Sequence, residues 1–580
     1  RVFLQRRPMT ELAAAIRFVH LAVVLQLAGS FCFLFFIGRP ALGNAGPDAA
    51  ALGGFCDAWH RRIVQVGLAG AGVSALAGLW VQSLLLGDAL AGDGGGAAVS
   101  MADLLMHTLH GQVWLVRMLL MALLAALLSA KALRTTIGRH AQLRTGLLLS
   151  ACLLASMALA GHAAGGEGGE RVLHAFADAL HLLAAGAWLG GLVPLALLLR
   201  RARHSAYGAA VVVRLTRGFS ALGMVCVSSL LVSGSINAWI LVGGVPQLLG
   251  TPYGRLLLLK LFLFLPLLAI AAFNLLKLNP AITRDSAANT GEGAGATPLL
   301  AARLARNAAV EAALGLAIIA VVGAMGSVAP GLHTQVEWPL SFRWNWGAQY
   351  TDRDIGATVE TGFAWVVLGL FVLQFAFLRE RQRIATFTAG AAIFVYAAVV
   401  VVGAVWTDAY PSTYLQPSVA YNALSVRNGQ ALYEKNCLAC HGRLGHGDGP
   451  SATGKPSARA DLTGAHANAH TSGDLFWWIS HGVPGTAMPG FGATLSEDDR
   501  WDLVNFSRTL SAARRARSLT SATEKTPWLL APEFDYAAGD GRMRALRDWR
   551  VDKVVLLVLM NDRSSSERFA VLADASSRFR

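Results

Sequence analysis

Residues 174–199 read HAFADALHLLAAGAWLGGLVPLALLL. A helix of this length crosses the hydrocarbon core of a bilayer, which needs about 20 apolar residues. Yet the stretch carries Asp178 and two imidazoles, His174 and His181. A polar group at membrane depth needs a partner or a wet cavity, so this is a span with something to hold. Nine similar windows accompany it, at 12–37, 62–85, 113–131, 145–163, 219–243, 255–276, 307–327, 362–378 and 385–406. One such window is compatible with a buried helix of a soluble protein; ten in series are not. Only 14% of the 580 residues are charged and the mean hydropathy is +0.48, which excludes a soluble globular chain. The fold class is all-α, a polytopic transmembrane helical bundle of about ten spans.

Beyond the last window stands Cys437-Leu438-Ala439-Cys440-His441, a C-x-x-C-H sequence of the kind that attaches c-type haem. Two intervening residues let both thiols reach one edge of the porphyrin, and the adjacent imidazole meets the iron. Forty-seven residues past His441, Met488 lies in Gly485-Thr486-Ala487-Met488-Pro489-Gly490-Phe491, where a thioether supplies the opposite axial bond and raises the haem potential. Residues 426–436 read as a helix before the motif and 497–510 as an amphipathic helix after it. Residues 424–512 therefore resemble a class I monohaem cytochrome c, a small all-α domain. The resemblance implies packing of the first helix on the last through Gly429, Tyr433, Trp501 and Phe506.

Charge placement orients the spans. Lys and Arg number 3, 4, 5, 4 and 3 in loops 38–62, 131–144, 200–217, 277–306 and 379–383. The alternate loops 86–112, 164–173, 244–254 and 328–361 hold 0, 1, 0 and 2. By the positive-inside rule the first set is cytoplasmic, so both termini face outward. That places the haem module on the oxidising side of a bacterial cytoplasmic membrane, where c-type haem is attached. The basic pI of 9.9 follows from these loops and the tail, without nucleic acid as a partner. Arg1, Arg6 and Arg7 oppose the charge rule, and a start at Met9 removes the conflict. Cys32, Cys152 and Cys226 read as packing residues within spans, and Cys56 as part of a cytoplasmic loop.

With this topology, seven of the ten histidines outside the cytochrome region fall in one outer layer: His20, His107, His110, His162, His174, His181 and His333. Met106, Met157 and Met325 share it. Imidazole and thioether at one depth suit copper; an alternative is a b-type haem between facing histidines, and for each histidine alone, interfacial residence. Helical rise places His181 roughly 10 Å below the start of its span, with His162 at the mouth of its own. They read as successive stations, His20 near the lower and His333 near the upper. Arg117, Asp178, Lys260 and Glu311 also lie within spans, and Asp178 with Lys260 reads as an ion pair. Trp338, Trp344 and Trp346 read as interfacial anchors, with a docking surface for the haem module as the alternative.

A family pattern joins these residues. Gly161-His162-Ala163, Asp178-Ala179-Leu180-His181, Ala187-Trp188-Leu189-Gly190-Gly191-Leu192, Phe219-Ser220 and Ser233-Gly234 resemble the copper resistance protein D (CopD) family. So do Thr251-Pro252-Tyr253-Gly254-Arg255-Leu256-Leu257 with Lys260, and the Glu311 span ending in Pro330-Gly331-Leu332-His333 before Trp338-Pro339. The resemblance covers residues 10–343, eight spans, and implies copper passage or copper tolerance, with His162, His181 and His333 as candidate ligands. Residues 344–410 add two spans that the simple family pattern lacks.

The tail, 513–580, opens as a basic linker and continues as a truncated thioredoxin-like piece with an apolar run at 554–560 and a helix over 565–580. Asn561-Asp562-Arg563-Ser564-Ser565-Ser566 stands where that family carries C-x-x-C, so thiol redox chemistry is not expected. The whole reads as a copper-handling inner-membrane protein with a fused periplasmic one-electron carrier. Its cofactors would be haem c and copper. Its partners would be the bilayer, copper ion, and a periplasmic copper carrier or a respiratory electron partner. Two competing classes are an electron-transfer enzyme with b-type haem and quinol oxidation in the bundle, and a passive membrane anchor for the cytochrome. Neither a nucleophile with its base nor a phosphate-binding glycine loop is legible, so a substrate-converting enzyme is not expected.

Overall fold

The computed structural model describes residues 2–43, 46–90, 105–129, 138–160, 168–203, 208–288, 296–347, 353–378, 383–452, 460–464, 467, 469–518, 534–537 and 543–546. Among them, ten helices are long and apolar enough to cross a membrane. They are span 1 (Met9–Leu42), span 2 (Ala50–Leu85), span 3 (Leu109–Ser129), span 4 (Arg139–Leu159) and span 5 (Gly169–Ala202). Then come span 6 (Ala209–Leu241), span 7 (Pro252–Ala288), span 8 (Thr297–Met325), span 9 (Asp354–Gln374) and span 10 (Ile384–Ala404). The chain divides into two compact units, Arg1–Val336 and Glu337–Arg580.

Several helices outrun their apolar windows, because charges that hydropathy assigns to loops are paired within helices. Span 2 starts at Ala50, and its Asp57 receives Arg39 and, at 3.3 Å, Arg139. Cys56 is therefore not a loop residue but a fully buried helical one. In the first unit, spans 1 and 5 run through the centre. A Cβ on Gly29 would collide with Gly186 O and the Gly190 backbone, and one on Gly190 with Leu25 O; glycine is what lets the two backbones touch. One core, around Trp188, Leu192 and Leu215, joins spans 1, 2 and 5–8. A second, around Leu27, Phe31, Leu124 and Leu154, gathers spans 1–4. A π-helical turn, Asn274–Leu278, interrupts span 7. It presents Asn274 to span 8, where its Nδ2 donates to Glu311 Oε1 at 2.7 Å and its Oδ1 accepts from Asn307 at 2.7 Å. The buried carboxylate thus has an amide partner, as a polar group at that depth requires.

In the second unit, spans 9 and 10 form an antiparallel pair closed at Gly369 and Gly390, where a Cβ would come within 2.8 Å of the opposing backbone. Strand Phe342–Trp344 pairs antiparallel with Trp406–Asp408, placing Phe342 opposite Asp408, and Phe342 stacks on Trp406 at 3.8 Å. The small helical domain that follows contains helices Ala423–Asn436, Leu438–His441, Ser472–His481 and Glu497–Ser518. The crossing of its first and last long helices matches the sequence reading. A Cβ on Gly429 would run into Asp502 O, and Tyr433 meets Phe506 at 5.1 Å. Trp501 is fully buried and stacks on Phe476 at 4.3 Å.

Trp338 also differs from its reading as a lipid-interface anchor. It is buried, its Nε1 donates to Phe342 O at 2.9 Å, and its ring meets Tyr414 at 5.0 Å. Trp344 and Trp346 remain exposed. In the tail, residues 513–518, read as the start of a linker, continue helix Glu497–Ser518, and Asp535–Ala537 pairs antiparallel with Met543–Ala545. No closed, thioredoxin-like sheet occurs among the described residues, and the run 554–560 and the helix 565–580 lie outside them.

Candidate functional site

Helical periodicity puts His174, Asp178 and His181 on one face of span 5. All three line a cavity of about 230 Å³ together with Asn237 of span 6, Tyr253 and Lys260 of span 7 and Met325 of span 8. Lys260 Nζ stands 3.4 Å from His181 Nε2, and His181 Nδ1 3.0 Å from Ser233 Oγ. An ammonium has no acceptor, so Lys260 donates to Nε2. Nδ1 then carries the ring hydrogen and donates to Ser233, whose hydroxyl donates in turn to Ser229 O at 2.6 Å. Asp178 does not make the ion pair with Lys260 that the sequence suggests. It accepts from Asn237 Nδ2 at 3.4 Å, while the ammonium goes to the imidazole.

The other histidine candidates are dispersed. His20 of span 1 is buried, with Nδ1 at 2.9 Å from Ser74 Oγ of span 2. His333 is exposed on the short turn Gly331–His333, and His162 lies outside the described residues. Among the described residues, no three His, Cys, Asp or Glu side chains come together closely enough to hold a metal ion. Ser74 and Asn237 carry no signal of their own in the sequence, and Ser233 enters there only as part of a family motif, not as a histidine partner. Their signal is indirect: an intramembrane histidine demands a partner, and each serine stands on the next helix of its hairpin.

In the second unit, His441 ends the single turn Leu438–His441. Its Nδ1 is 2.9 Å from Ala460 O, so Nδ1 is the donor and Nε2 keeps its lone pair, the arrangement a metal-binding imidazole needs. Tyr433 anchors the turn that follows by donating to Gly442 O at 2.7 Å. Gly442, at φ 75°, reverses the chain in a conformation that other residues rarely adopt. Cys437 is half-buried and Cys440 exposed. Met488 is half-buried in a turn secured by Val483 N to Met488 O at 3.3 Å and Met488 N to Thr486 Oγ1 at 3.2 Å. An imidazole with Nε2 available, two accessible thiols and a thioether on a fixed turn fit a haem held by Cys437, Cys440, His441 and Met488.

A polytopic helical membrane protein that carries a cytochrome-family domain in the same chain is the class these features define. Family descriptions match in three places: copper resistance protein D-like, N-terminal domain, over residues 9–173; copper resistance protein D over 213–325; and cytochrome C oxidase, cbb3-type, subunit III over 424–506. Copper resistance protein D of Pseudomonas syringae pv. tomato is 34% identical over 243 residues, 40% of this chain and 73% of that protein. The chain belongs to the copper resistance protein D family. Copper transport protein CutJ of Bacillus subtilis (strain 168) is 29% identical over 219 residues, 37% of this chain but only 39% of that protein. Cytochrome c6 of Alaria esculenta is 34% identical over 88 residues, 15% of this chain and 94% of that protein. No solved structure matches the chain significantly.

Proposed function

We propose that the protein carries copper through the first unit and exchanges single electrons through the second. Copper would be taken from the periplasmic side of the inner membrane along the histidine layer, by way of His162 and His333 near the mouth to His181, with His20 at similar depth. The observation that carries this reading is the cavity at His181. It combines an imidazole, Asp178 and Met325; its span-5 residues stand between the two stretches that match copper resistance protein D, 9–173 and 213–325, and Asn237, Tyr253, Lys260 and Met325 lie within the second. Thioether favours Cu(I), and imidazole accepts both oxidation states. In the second unit, Cys437 and Cys440 would attach haem c covalently, and His441 and Met488 would hold its iron. The bound haem supplies a one-electron couple. The residues around it set the His441 tautomer and hold Met488 on its turn. Cu(II) outside and Cu(I) at thioethers give an electron carrier in the same chain an immediate use.

The test is metal analysis with a pyridine haemochrome spectrum on purified full-length protein. The proposal expects copper and c-type haem only. A b-type band would favour quinol oxidation in the bundle, and c-type haem without copper would leave the spans an anchor. In cells, a His162/His181 double alanine variant that still inserts should accumulate less copper; unchanged accumulation would overturn the copper path.

A further inference from the structure

Spans 1–4 and 5–8 carry the same features at matching spacings. Ser74 follows His20 by 54 residues, and Ser233 follows His181 by 52. In both pairs the hydroxyl lies at 2.9–3.0 Å from Nδ1 and donates to the carbonyl four residues back at 2.6 Å. Each serine follows a valine and precedes an exposed tryptophan, Val73-Ser74 before Trp80 and Val232-Ser233 before Trp239. Thr108 and Thr251 each accept, at 3.0 Å, the amide of the glycine three residues on, Gly111 and Gly254. Six residues after that glycine stands a cation, Arg117 or Lys260.

The central contact repeats the equivalence. Gly29 and Gly190 each lie nine residues past their histidine, Leu25 and Gly186 five past. A Cβ on Gly29 would strike Gly186 O, and one on Gly190 would strike Leu25 O. Such reciprocity is what a two-fold axis produces, and parallel repeats about an axis along the membrane normal recur in transporters.

The two copies differ at the cation. Arg117 is parked on the end of span 4, its Nε 3.2 Å from Ser156 Oγ and its terminal nitrogen 3.0 Å from Ser156 O. Lys260 instead donates to His181 Nε2, beside Asp178, in the cavity. We infer that Lys260 is a tethered stand-in for the transported cation: its ammonium holds the Nε2 position of His181 until Cu(I) takes it, and then moves toward Asp178. This rests on the copper reading of His181. No covalent bond changes; the Nε2 lone pair passes from an N–H donor to the metal, and the ammonium keeps its proton. Arg117 shows that this position of the repeat can hold its cation away from the histidine. Two positive charges in one small cavity repel, which weakens binding and favours onward release.

The test is Cu(I) affinity of the full chain in detergent, by competition with a chromogenic Cu(I) chelator. Lys260→Met and Lys260→Gln should each bind about tenfold or more tightly than wild type. Lys260→Arg, which restores a cation, should return toward wild type, and Arg117→Met should leave the affinity unchanged. Using two neutral variants guards against misfolding of either. Unchanged or weaker binding in both, with His181→Ala still abolishing it, would overturn the stand-in while sparing the copper site. Wild-type affinity in His181→Ala would instead overturn the copper reading itself.

Discussion

Arg343 and Asp474, 131 residues apart in sequence, form a buried ion pair at 3.2 Å. Arg343 belongs to the strand before span 9 and Asp474 to the first turn of helix Ser472–His481, so the pair ties the membrane hairpin to the small helical domain. The guanidinium also donates to Ala469 O at 3.0 Å, and Asp474 accepts from Thr413 and the Thr471 amide. Removing one partner of such a pair strands a buried charge and costs about 3–5 kcal/mol. Arg343→Met should lower the unfolding midpoint of the second unit accordingly, read as loss of near-ultraviolet circular dichroism on heating.

The same carboxylate makes this unit acid-sensitive. Burial alone would raise the Asp474 pKa, but the His470 imidazole 3.4 Å away, hydrogen bonds from Thr413 and the Thr471 amide, and the Arg343 charge outweigh it and hold the group below its ordinary value. A depressed carboxylate stabilises the fold fully above the ordinary aspartate range, and that stability is lost as pH falls through the lowered folded value. Denaturant midpoints measured from pH 7 downward should therefore fall more steeply in wild type than in Asp474→Asn. Parallel slopes would remove Asp474 as the source.

For the haem proposal, alanine at both Cys437 and Cys440 should abolish covalent attachment. Met488→Ala should leave haem attached at a lower potential, measured by redox titration of the purified protein. Covalent haem surviving the loss of both thiols would sink the assignment.

The central helix contact gives a packing test with an internal control. Gly29→Ala places a methyl group on the Gly186 carbonyl, and overpacking of this kind costs about 1–3 kcal/mol. A Cβ on Gly72 meets nothing within 4 Å, so Gly72→Ala should be neutral or stabilising by up to about 1 kcal/mol through helix propensity. Thermal melts in one detergent separate the two; equal behaviour would contradict the close approach of spans 1 and 5.

The ten spans were legible because a lipid-length apolar run is a property of consecutive residues. The helix crossing at Gly429 was legible because the cytochrome resemblance supplied it. The partners of His20 and His181 were not: each serine lies more than 50 residues away, and one-dimensional pattern does not say which helices touch. Lys260 was paired with Asp178 on charge and depth alone, whereas geometry gave its ammonium to His181. Helix Ser472–His481 went unread although Thr471 and Asp474 spell a capping box. Trp338 was misplaced because a tryptophan beside a span looks the same in sequence whether it meets lipid or Tyr414.

The orientation of the spans is the remaining proposal, and it is exposed to a direct test. Nineteen Lys and Arg residues in one set of loops against three in the other should keep the first set in the cytoplasm. Alkaline phosphatase folds to activity only in the periplasm. Fusions after residues 98, 168, 248 and 350 should be active, and those after 138, 208 and 290 inactive. The position after 208 is the most informative, because five of the basic residues lie in that loop. Activity there would invert the topology, put Cys437 and Cys440 on the reducing side of the membrane and remove the route to haem attachment.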